Sequence, residues 1–185
     1  MTCKTLFTAD THFGHAAILR LCQRPFGTAD EMDEALIANW NAMVRPQDTV
    51  WHLGDFAFRC EPSRRERIFK RLNGRKHLVV GNHDDAATLS LDWESAQQIA
   101  EASILGQRVV LCHYAMRVWP RQAKGAIHLF GHSHARLGGT ARSLDVGVDA
   151  WDYRPTELAS IAVRLSTIAA GEADWPARAG EPRSG

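Results

Sequence analysis

Five short apolar runs in this chain each end in a polar motif, and this recurring pattern constrains the fold more than any other feature. The runs cover residues 4–9, 49–53, 77–80, 109–112 and 127–130. The motifs that follow them are Asp10-Thr11-His12, Gly54-Asp55, Gly81-Asn82-His83-Asp84, His113 and Gly131-His132-Ser133-His134. Apolar runs bounded by turn residues are typical of buried strands. Open α/β sheets place ligands where such strands end, so the pattern predicts a binding site built from these polar residues.

Helices are predicted between the strands from the spacing of apolar residues and from capping residues. A first short helix is expected over 15–22. Thr28 and Ser63 are each followed three residues later by Glu, and each pair predicts a capping box at the start of a helix. A last helix is expected over 155–165, where Pro stands near the start and Leu and Ile recur on one face.

The remaining segments predict how these elements combine into a domain. Residues 98–113 predict a β-hairpin with Gly106 at the first turn position, and 143–148 predicts one more strand. The mixture of βα units and a hairpin predicts a single α/β domain over 1–170, layered as a β-sandwich flanked by helices. The segment 171–185 is rich in Gly, Pro, Ala and charge, which predicts a loose tail.

The composition excludes several classes of function. The net charge is +1, which is no electrostatic footprint for long nucleic acid. No apolar run approaches the ~20 residues of a membrane-spanning helix, and the first strand follows Met1 too closely for a signal peptide. The four cysteines show no CxxC spacing, so neither a zinc knuckle nor a redox motif is expected. We therefore expect a cytoplasmic protein with reduced thiols.

The residue types in the five motifs are those that bind divalent transition metals. Carboxylate oxygen and imidazole nitrogen together suit such ions. Asp10 and His12 are two residues apart at a strand end, so in an extended chain both side chains would project the same way. Asp55 stands alone after its strand and is the natural candidate for a carboxylate shared by two ions. Any single motif is equally well explained by polar loop residues or helix caps, and only the ordered set of five favours a metal centre.

The ordered set Asp-x-His, Gly-Asp, Gly-Asn-His-Asp, His and Gly-His-x-His resembles the motifs of the calcineurin-like metallophosphoesterase superfamily over residues 10–134. The short chain and the segments 10–15, 112–114 and 145–149 resemble a small bacterial and phage branch of predicted phosphoesterases. The resemblance implies the α/β sandwich of that superfamily. It also implies a cofactor of two divalent metal ions, with manganese expected and iron, zinc or nickel as alternatives.

The resemblance further implies a role for each motif residue. The implied ligands are Asp10, His12 and His134 for the first ion, Asn82, His113 and His132 for the second, and Asp55 as the bridge. His83 would face the substrate as a general acid or charge stabiliser, oriented by Asp84. The implied reaction is hydrolysis of a phosphate mono- or diester by a metal-bridging hydroxide, with His83 assisting the leaving group. The expected partner is a small phosphate ester such as a nucleotide, and neither a membrane nor long nucleic acid.

One position departs from the pattern of the superfamily. Many members carry Asp or Asn three residues after the Asp of the Gly-Asp motif, and Phe58 stands there in this chain. That position is not an implied metal ligand, so the departure bears on the substrate pocket. Arg59 follows it, either as a phosphate contact or as an exposed loop residue.

Several histidines and aromatic residues outside the motifs have two interpretations. Those expected to be structural, because they lie inside strand patterns, are His52, His77 and His128. His15 lies either behind the metal ligands or simply at the start of a helix. Arg117, Trp119 and Trp151 either line a cleft that stacks a base or belong to the core.

Two other functions are compatible with the same motifs. One is a nuclease or nucleotide phosphodiesterase that acts on short nucleic acid, although relatives of that kind usually carry extra domains or a strongly basic face. The other is a catalytically silent metal-binding scaffold. A scaffold should lack some ligands, and this chain keeps all seven as well as His83.

Overall fold

The computed structural model of the chain describes residues 3–171, which form two β-sheets and five α-helices. The strands are β1 (Thr5–Thr8), β2 (Thr49–His52), β3 (Arg75–Val79), β4 (Ser95–Gln97), β5 (Ile99–Ile104), β6 (Gln107–Cys112), β7 (Ile127–Phe130), β8 (Ser143–Asp145) and β9 (Thr156–Glu157). The helices are α1 (Ala16–Leu21), α2 (Ala29–Met43), α3 (Pro62–Arg71), α4 (Ala86–Leu89) and α5 (Leu158–Gly171), with 3₁₀ turns at Gln122–Lys124 and Val148–Ala150.

The strands divide into a five-stranded and a four-stranded sheet. The first has the order β4-β3-β2-β1-β9, in which only β9 runs antiparallel to its neighbour. The second has the order β5-β6-β7-β8, in which β6, β7 and β8 are parallel and β5 pairs antiparallel with β6. Phe7 lies opposite Trp51, and Trp51 lies opposite His77. The carboxyl ends of β1, β2 and β3 are therefore side by side.

Apolar residues fill two layers, one on each face of the first sheet. Neighbouring residues of β1 point to opposite layers, because strand side chains alternate. Leu6 packs with residues of α1, α2 and α3, whereas Phe7 packs with Leu111 and Leu129 of the second sheet. Ile161 of α5 contributes to the layer between the sheets. The predicted α/β sandwich flanked by helices is confirmed.

The first predicted capping box is confirmed at its N-cap residue, although the Glu31 side chain accepts from Gly27 N at 2.8 Å and not from Thr28 N, and the second is wrong. The Thr28 hydroxyl accepts a hydrogen bond from the backbone N of Glu31 at 3.1 Å and begins α2. In contrast, α3 begins at Pro62, so Ser63 lies inside the first turn and not at the N-cap. The reason is that proline has its φ already set for the first helical position, where its missing N–H would have no partner anyway.

The predicted hairpin is present, but the predicted position of glycine in its turn was wrong. Ile104 pairs with Gln107, so the two turn residues are Leu105 and Gly106. Their φ angles are 50° and 83°, which is typical of a type I′ turn with glycine second. Leu105 is 95% exposed at the tip of the hairpin.

Three short elements were not predicted from the sequence. These elements are α4, β4 and β9. Two to four residues are too few to show an apolar period, and β9 exists only through its pairing with β1. Because β9 takes Thr156–Glu157, the last helix begins at Leu158 and not at 155.

The expected tail over 171–185 lies, from residue 172 onward, outside the described residues. Within residues 3–171, none of the helices combines the length and apolar character that crossing a membrane requires.

Candidate metal centre

The polar motifs meet where strands of both sheets end. The loop after β1 lies against the loop after β2, because Asp10 N donates to Gly54 O and His12 N donates to Asp55 O, both at 3.0 Å. Asp10 also reaches the second sheet, since its Oδ2 accepts from the backbone N of His132 at 2.8 Å. The site therefore lies on the seam between the two sheets.

Six of the seven implied ligands form two triads. In each triad the potential metal-binding atoms all lie within 4.8 Å of one another. The triads are Asp10–His12–His134 and Asp55–His113–His132. Asp55 Oδ2 lies 3.5 Å from Nε2 of His12 and 3.6 Å from Nε2 of His113. A single carboxylate oxygen is thus close to both triads.

The seventh implied ligand, Asn82, lies beside the second triad. Its Oδ1 is 3.1 Å from Nε2 of His113. The other ring nitrogen of His113, Nδ1, lies 2.7 Å from the carbonyl oxygen of Leu53. A carbonyl can only accept, so Nδ1 carries the proton and Nε2 presents its lone pair to Asn82 and Asp55. Acceptor atoms converge at this point, which is the arrangement that a cation requires.

Most of the implied ligands have a left-handed backbone. They are Asp10 (φ 56°), His12 (φ 50°), Asp55 (φ 56°), His132 (φ 66°) and His134 (φ 49°). Such a conformation costs roughly 1–3 kcal/mol for a residue other than glycine and is concentrated at functional sites. The expectation that Asp10 and His12 project together from an extended chain was therefore wrong in its geometry. Their side chains do meet in one triad, but turns aim them.

Burial makes the carboxylates and imidazoles of the site unfavourable in the absence of a partner, and a bound cation would supply that partner. Asp10 and Asp55 are 0% and 1% exposed. Burial raises the pKa of Asp10 well above its ordinary value, and the charges of Asp145 and Asp55 raise it further. The ring of His12 is buried, and neither of its nitrogens has a hydrogen-bond partner. Buried polar atoms rarely lack partners, so these residues fit divalent metal ions as their missing partners.

Asp84 was expected to orient the His83 ring, but in the structure its carboxylate binds backbone amides. Its Oδ2 accepts from the backbone N of Asp55 at 2.9 Å and of Gly81 at 2.8 Å, and its Oδ1 accepts from Phe56 N at 2.9 Å. Both oxygens are therefore used to hold the loops after β2 and β3 together. A carboxylate accepts readily from several backbone amides at once, and here that competes with a bond to the imidazole.

His83 borders the triads without belonging to either. Its ring centroid is 5.4 Å from that of His12 and 4.2 Å from that of Phe58. Its backbone N donates to Asp55 Oδ1 at 2.9 Å, so the position of His83 is tied to the shared carboxylate. Phe58, the departure from the superfamily pattern, thus forms a wall against the His83 ring.

The residues around Phe58 add polar and charged groups to this aromatic wall. The guanidinium of Arg59 lies 5.3 Å from the Phe58 ring centroid. The His15 ring lies 4.8 Å from Phe58 and 5.3 Å from His12. His15 is therefore both the N-cap residue of α1 and a neighbour of His12, an implied metal ligand, so its two interpretations apply together.

Three of the other histidines and both tryptophans are structural, whereas Arg117 is exposed. His52, His77 and His128 each have a ring nitrogen within 2.8–3.0 Å of an oxygen in a neighbouring segment. Trp119 is 6% exposed and donates from Nε1 to the carbonyl of Ala126 at 2.9 Å, which places it in a small core behind the second sheet. Trp151 donates to the carbonyl of Asp145 at 2.8 Å. Neither tryptophan lines a base-stacking cleft at the triads.

Two residues that touch the site, the buried Arg24 and the partly buried Asp149, were not predicted from the sequence. Asp149 Oδ2 lies 2.8 Å from Nδ1 of His134. Arg24 donates to the carbonyl of Asp10 at 2.7 Å. The segment 145–149 was noted only as a point of resemblance. No local signal marks Arg24, because it meets Asp149 across 125 residues of chain.

Gly81→Ala is expected to disturb the second triad more than the fold. An alanine Cβ would lie 2.6 Å from the backbone N of Asp55 and 3.0 Å from Cε1 of His113. Relieving this overlap should destabilise the protein by about 1–3 kcal/mol and weaken metal binding. Gly138→Ala is the control, because its Cβ would meet nothing within 4 Å. Thermal unfolding and a Mn²⁺ titration measure the two effects, and equal metal affinity in both variants would contradict the prediction.

The two-sheet α/β sandwich with candidate metal ligands at its strand ends is the arrangement of the calcineurin-like phosphoesterases. The domain model of the calcineurin-like phosphoesterase superfamily matches residues 4–148. The chain belongs to this superfamily, as its motifs predicted.

Individual relatives come from archaea and phages. The chain is 30% identical over 163 residues to the uncharacterised protein MJ1445 of Methanocaldococcus jannaschii, covering 84% of this chain and 87% of that protein. It is 30% identical over 177 residues to the gene 66 protein of Mycobacterium phage D29, covering 78% and 87%. Among solved structures, the protein of unknown function AQ665 from Aquifex aeolicus has a TM-score of 0.70 at 24% identity, covering 88% of this chain and 100% of that one. This last likeness concerns the fold alone.

Proposed function

We propose that this chain is a two-metal phosphoesterase that hydrolyses a small phosphate mono- or diester. The observation that carries the proposal is the position of Asp55 Oδ2, which is 3.5 Å from Nε2 of His12 and 3.6 Å from Nε2 of His113. A carboxylate oxygen between two triads is suited to bridge two ions. Membership in the calcineurin-like phosphoesterase superfamily supports the same reaction.

Each ion would take ligands from both sheets. The proposed ligands are Asp10, His12 and His134 for the first ion, Asn82, His113 and His132 for the second, and Asp55 for both. Two divalent ions, with manganese expected, would neutralise the phosphoryl oxygens and lower the pKa of a bound water so that a nucleophile exists near neutral pH. The protein's own contribution is to fix the ligands, and Asp84 does so by holding the backbone of Asp55 and Gly81.

His83 would protonate the leaving group. Its imidazole borders the His12 ring but is not a member of either triad, so it remains available for proton transfer. The bond from its backbone N to Asp55 Oδ1 fixes it relative to the shared carboxylate. General acids of this kind typically accelerate a reaction by about 10²–10⁴-fold.

A nucleotide is the substrate that the rim of the site favours most. Tyr114 is 46% exposed, and its ring centroid lies 4.9 Å from that of His132. A half-exposed aromatic ring next to a metal ligand offers a face on which a base can stack. The net charge of +1 favours a short nucleotide over long nucleic acid.

Reconstitution with Mn²⁺ tests the proposal. We expect elemental analysis to approach two ions per chain, because seven ligands with one shared carboxylate suit two ions ~3.5–4 Å apart. Hydrolysis of p-nitrophenyl phosphate, its bis ester, cyclic nucleotides and nucleotides should be lost after chelation and restored by Mn²⁺. A well-folded protein that binds no divalent ion under any condition would refute the proposal. Two bound ions without hydrolysis of any of these esters would leave the scaffold as the function.

A further inference from the structure

A buried arginine joins two of the loops that carry metal ligands. Arg24 lies between α1 and α2, and its side chain is 0% exposed. Its Nη2 donates to the carbonyl of Asp10 at 2.7 Å, and its Nη1 donates to the carbonyl of Thr11 at 3.0 Å. These carbonyls belong to the left-handed turn after β1, whose amides at Asp10 and His12 already donate to the loop after β2. The guanidinium therefore supplies donors to a strained segment that needs them.

The other edge of the same guanidinium holds Asp149. Arg24 Nε donates to Asp149 Oδ1 and Nη2 donates to Asp149 Oδ2, both at 2.8 Å. This is the bidentate geometry in which Arg–carboxylate pairs are strongest.

Asp149 in turn orients a metal ligand. Its Oδ2 lies 2.8 Å from Nδ1 of His134. An ionised carboxylate can only accept, so Nδ1 carries the proton and the Nε2 lone pair is left for Asp10, His12 and their ion. One chain of hydrogen bonds thus runs from the Asp10 carbonyl through Arg24 and Asp149 to the His134 ring.

Two of these residues also belong to a second candidate metal site. Cys22, His134 and Asp149 also lie close enough together to hold an ion. Both oxygens of Asp149 already accept from Arg24, however, and an ion there would lie against a buried positive charge. Charge repulsion therefore argues against this triad as a metal site.

We propose that Arg24 and Asp149 are positioning residues that set the affinity of the first metal site by fixing the Asp10–His12 loop and the His134 ring relative to each other. This inference rests on the proposed function only in taking the first triad as a metal site. A buried ion pair is weak grounds for stability by itself, since well-packed apolar residues often replace one without loss. Its contacts here are with the ligands' own backbone and ring, so its effect should be on metal binding.

The test compares Mn²⁺ affinity and thermal stability across matched variants. We expect Asp149→Asn to weaken binding of one of the two ions by about 10–100-fold, the usual effect of changing the partner of a ligating histidine. Arg24→Lys should weaken the same ion, because a lysine keeps the charge but its three N–H donors on one nitrogen cannot reproduce the four hydrogen bonds that Arg24 makes to Asp10, Thr11 and Asp149. The Arg24→Lys variant also keeps the inference testable if Asp149→Asn fails to fold.

Asp48→Asn is the matched control. Asp48 is 0% exposed and pairs with Arg45 through both oxygens, but it precedes β2 and so lies at the opposite end of the sheet from the triads. Its replacement should lower the Tm and leave the Mn²⁺ affinity unchanged. Equal losses of Tm in Asp48→Asn and Asp149→Asn, with unchanged affinity in both, would overturn the inference.

Three further outcomes distinguish this inference from a metal site at Cys22 and from the proposed function. If Cys22→Ala weakens Mn²⁺ binding as much as Asp149→Asn does, the ion lies in the Cys22 triad and the positioning role is wrong. If the wild-type protein binds two ions but hydrolyses no phosphate ester, the proposed function fails while the ranking of affinities still decides the role of Arg24 and Asp149. A wild-type protein that binds no ion overturns both.

Discussion

Replacing His83 by alanine is expected to leave both metal ions bound and to lower kcat by about 10²–10⁴-fold. The reason is that the imidazole borders the His12 ring at 5.4 Å but belongs to neither triad, so its loss removes a proton donor and no ligand. The loss should be larger for an alkyl phosphate ester than for a p-nitrophenyl ester, because p-nitrophenolate departs without a proton. Steady-state kinetics on both esters, together with elemental analysis of the variant, measure these effects.

His77→Ala is the control for this prediction. His77 lies within β3, with Nδ1 2.8 Å from Ser95 Oγ and its ring stacked on Trp51 at 4.4 Å. Its replacement should reduce stability and leave kcat unchanged. For His83→Ala, equal losses for the two leaving groups would remove the general-acid role, and loss of metal would make His83 a ligand.

Asp55→Asn should lose both metal ions and activity together. Oδ2 of Asp55 lies close to a ring nitrogen of each triad, so a neutral amide weakens two sites at once. The fold should persist, because the remaining amide oxygen can still accept from His83 N, as Oδ1 now does at 2.9 Å. Activity should fall by more than the roughly 10–100-fold that replacing a residue behind a ligand costs.

Metal content decides how the Asp55→Asn result is interpreted. Elemental analysis after Mn²⁺ reconstitution should give well under two ions per chain, whereas Asp48→Asn should keep both. A variant that retains two ions at wild-type affinity would show that Asp55 does not bridge them, even if hydrolysis were lost.

The sequence predicts which residues meet at the candidate site. It predicts much less about the backbone geometry that brings them together. Apolar runs before each motif are enough to place Asp10, Asp55 and His113 at strand ends, because buried strands leave a clear pattern. The left-handed turns at Asp10 and His134 leave none, since neither is glycine and the strain is tolerated only because tertiary contacts impose it.

Polar contacts between residues far apart in the chain could not be predicted from the sequence either. Asp84 was expected to orient a neighbouring ring, yet its oxygens accept from Asp55 N and Phe56 N across 28 or more residues. The strand β9 was missed for a related reason. Its two residues gain their conformation from pairing with Leu6 and Phe7, which lie near the other end of the chain.

The seam between the two sheets has a consequence for how the protein matures. Both triads draw on residues before 60 and after 110, so neither half of the chain can assemble an ion site alone. During synthesis, the first triad is complete only after His134 has left the ribosome. Metal capture should therefore be among the last events of folding, and ions bound by these residues would then act as cross-links that close loops of more than 50 residues. Since such a ligand stabilises the native state by mass action, the lifetime of the folded protein would follow the supply of metal in the cell.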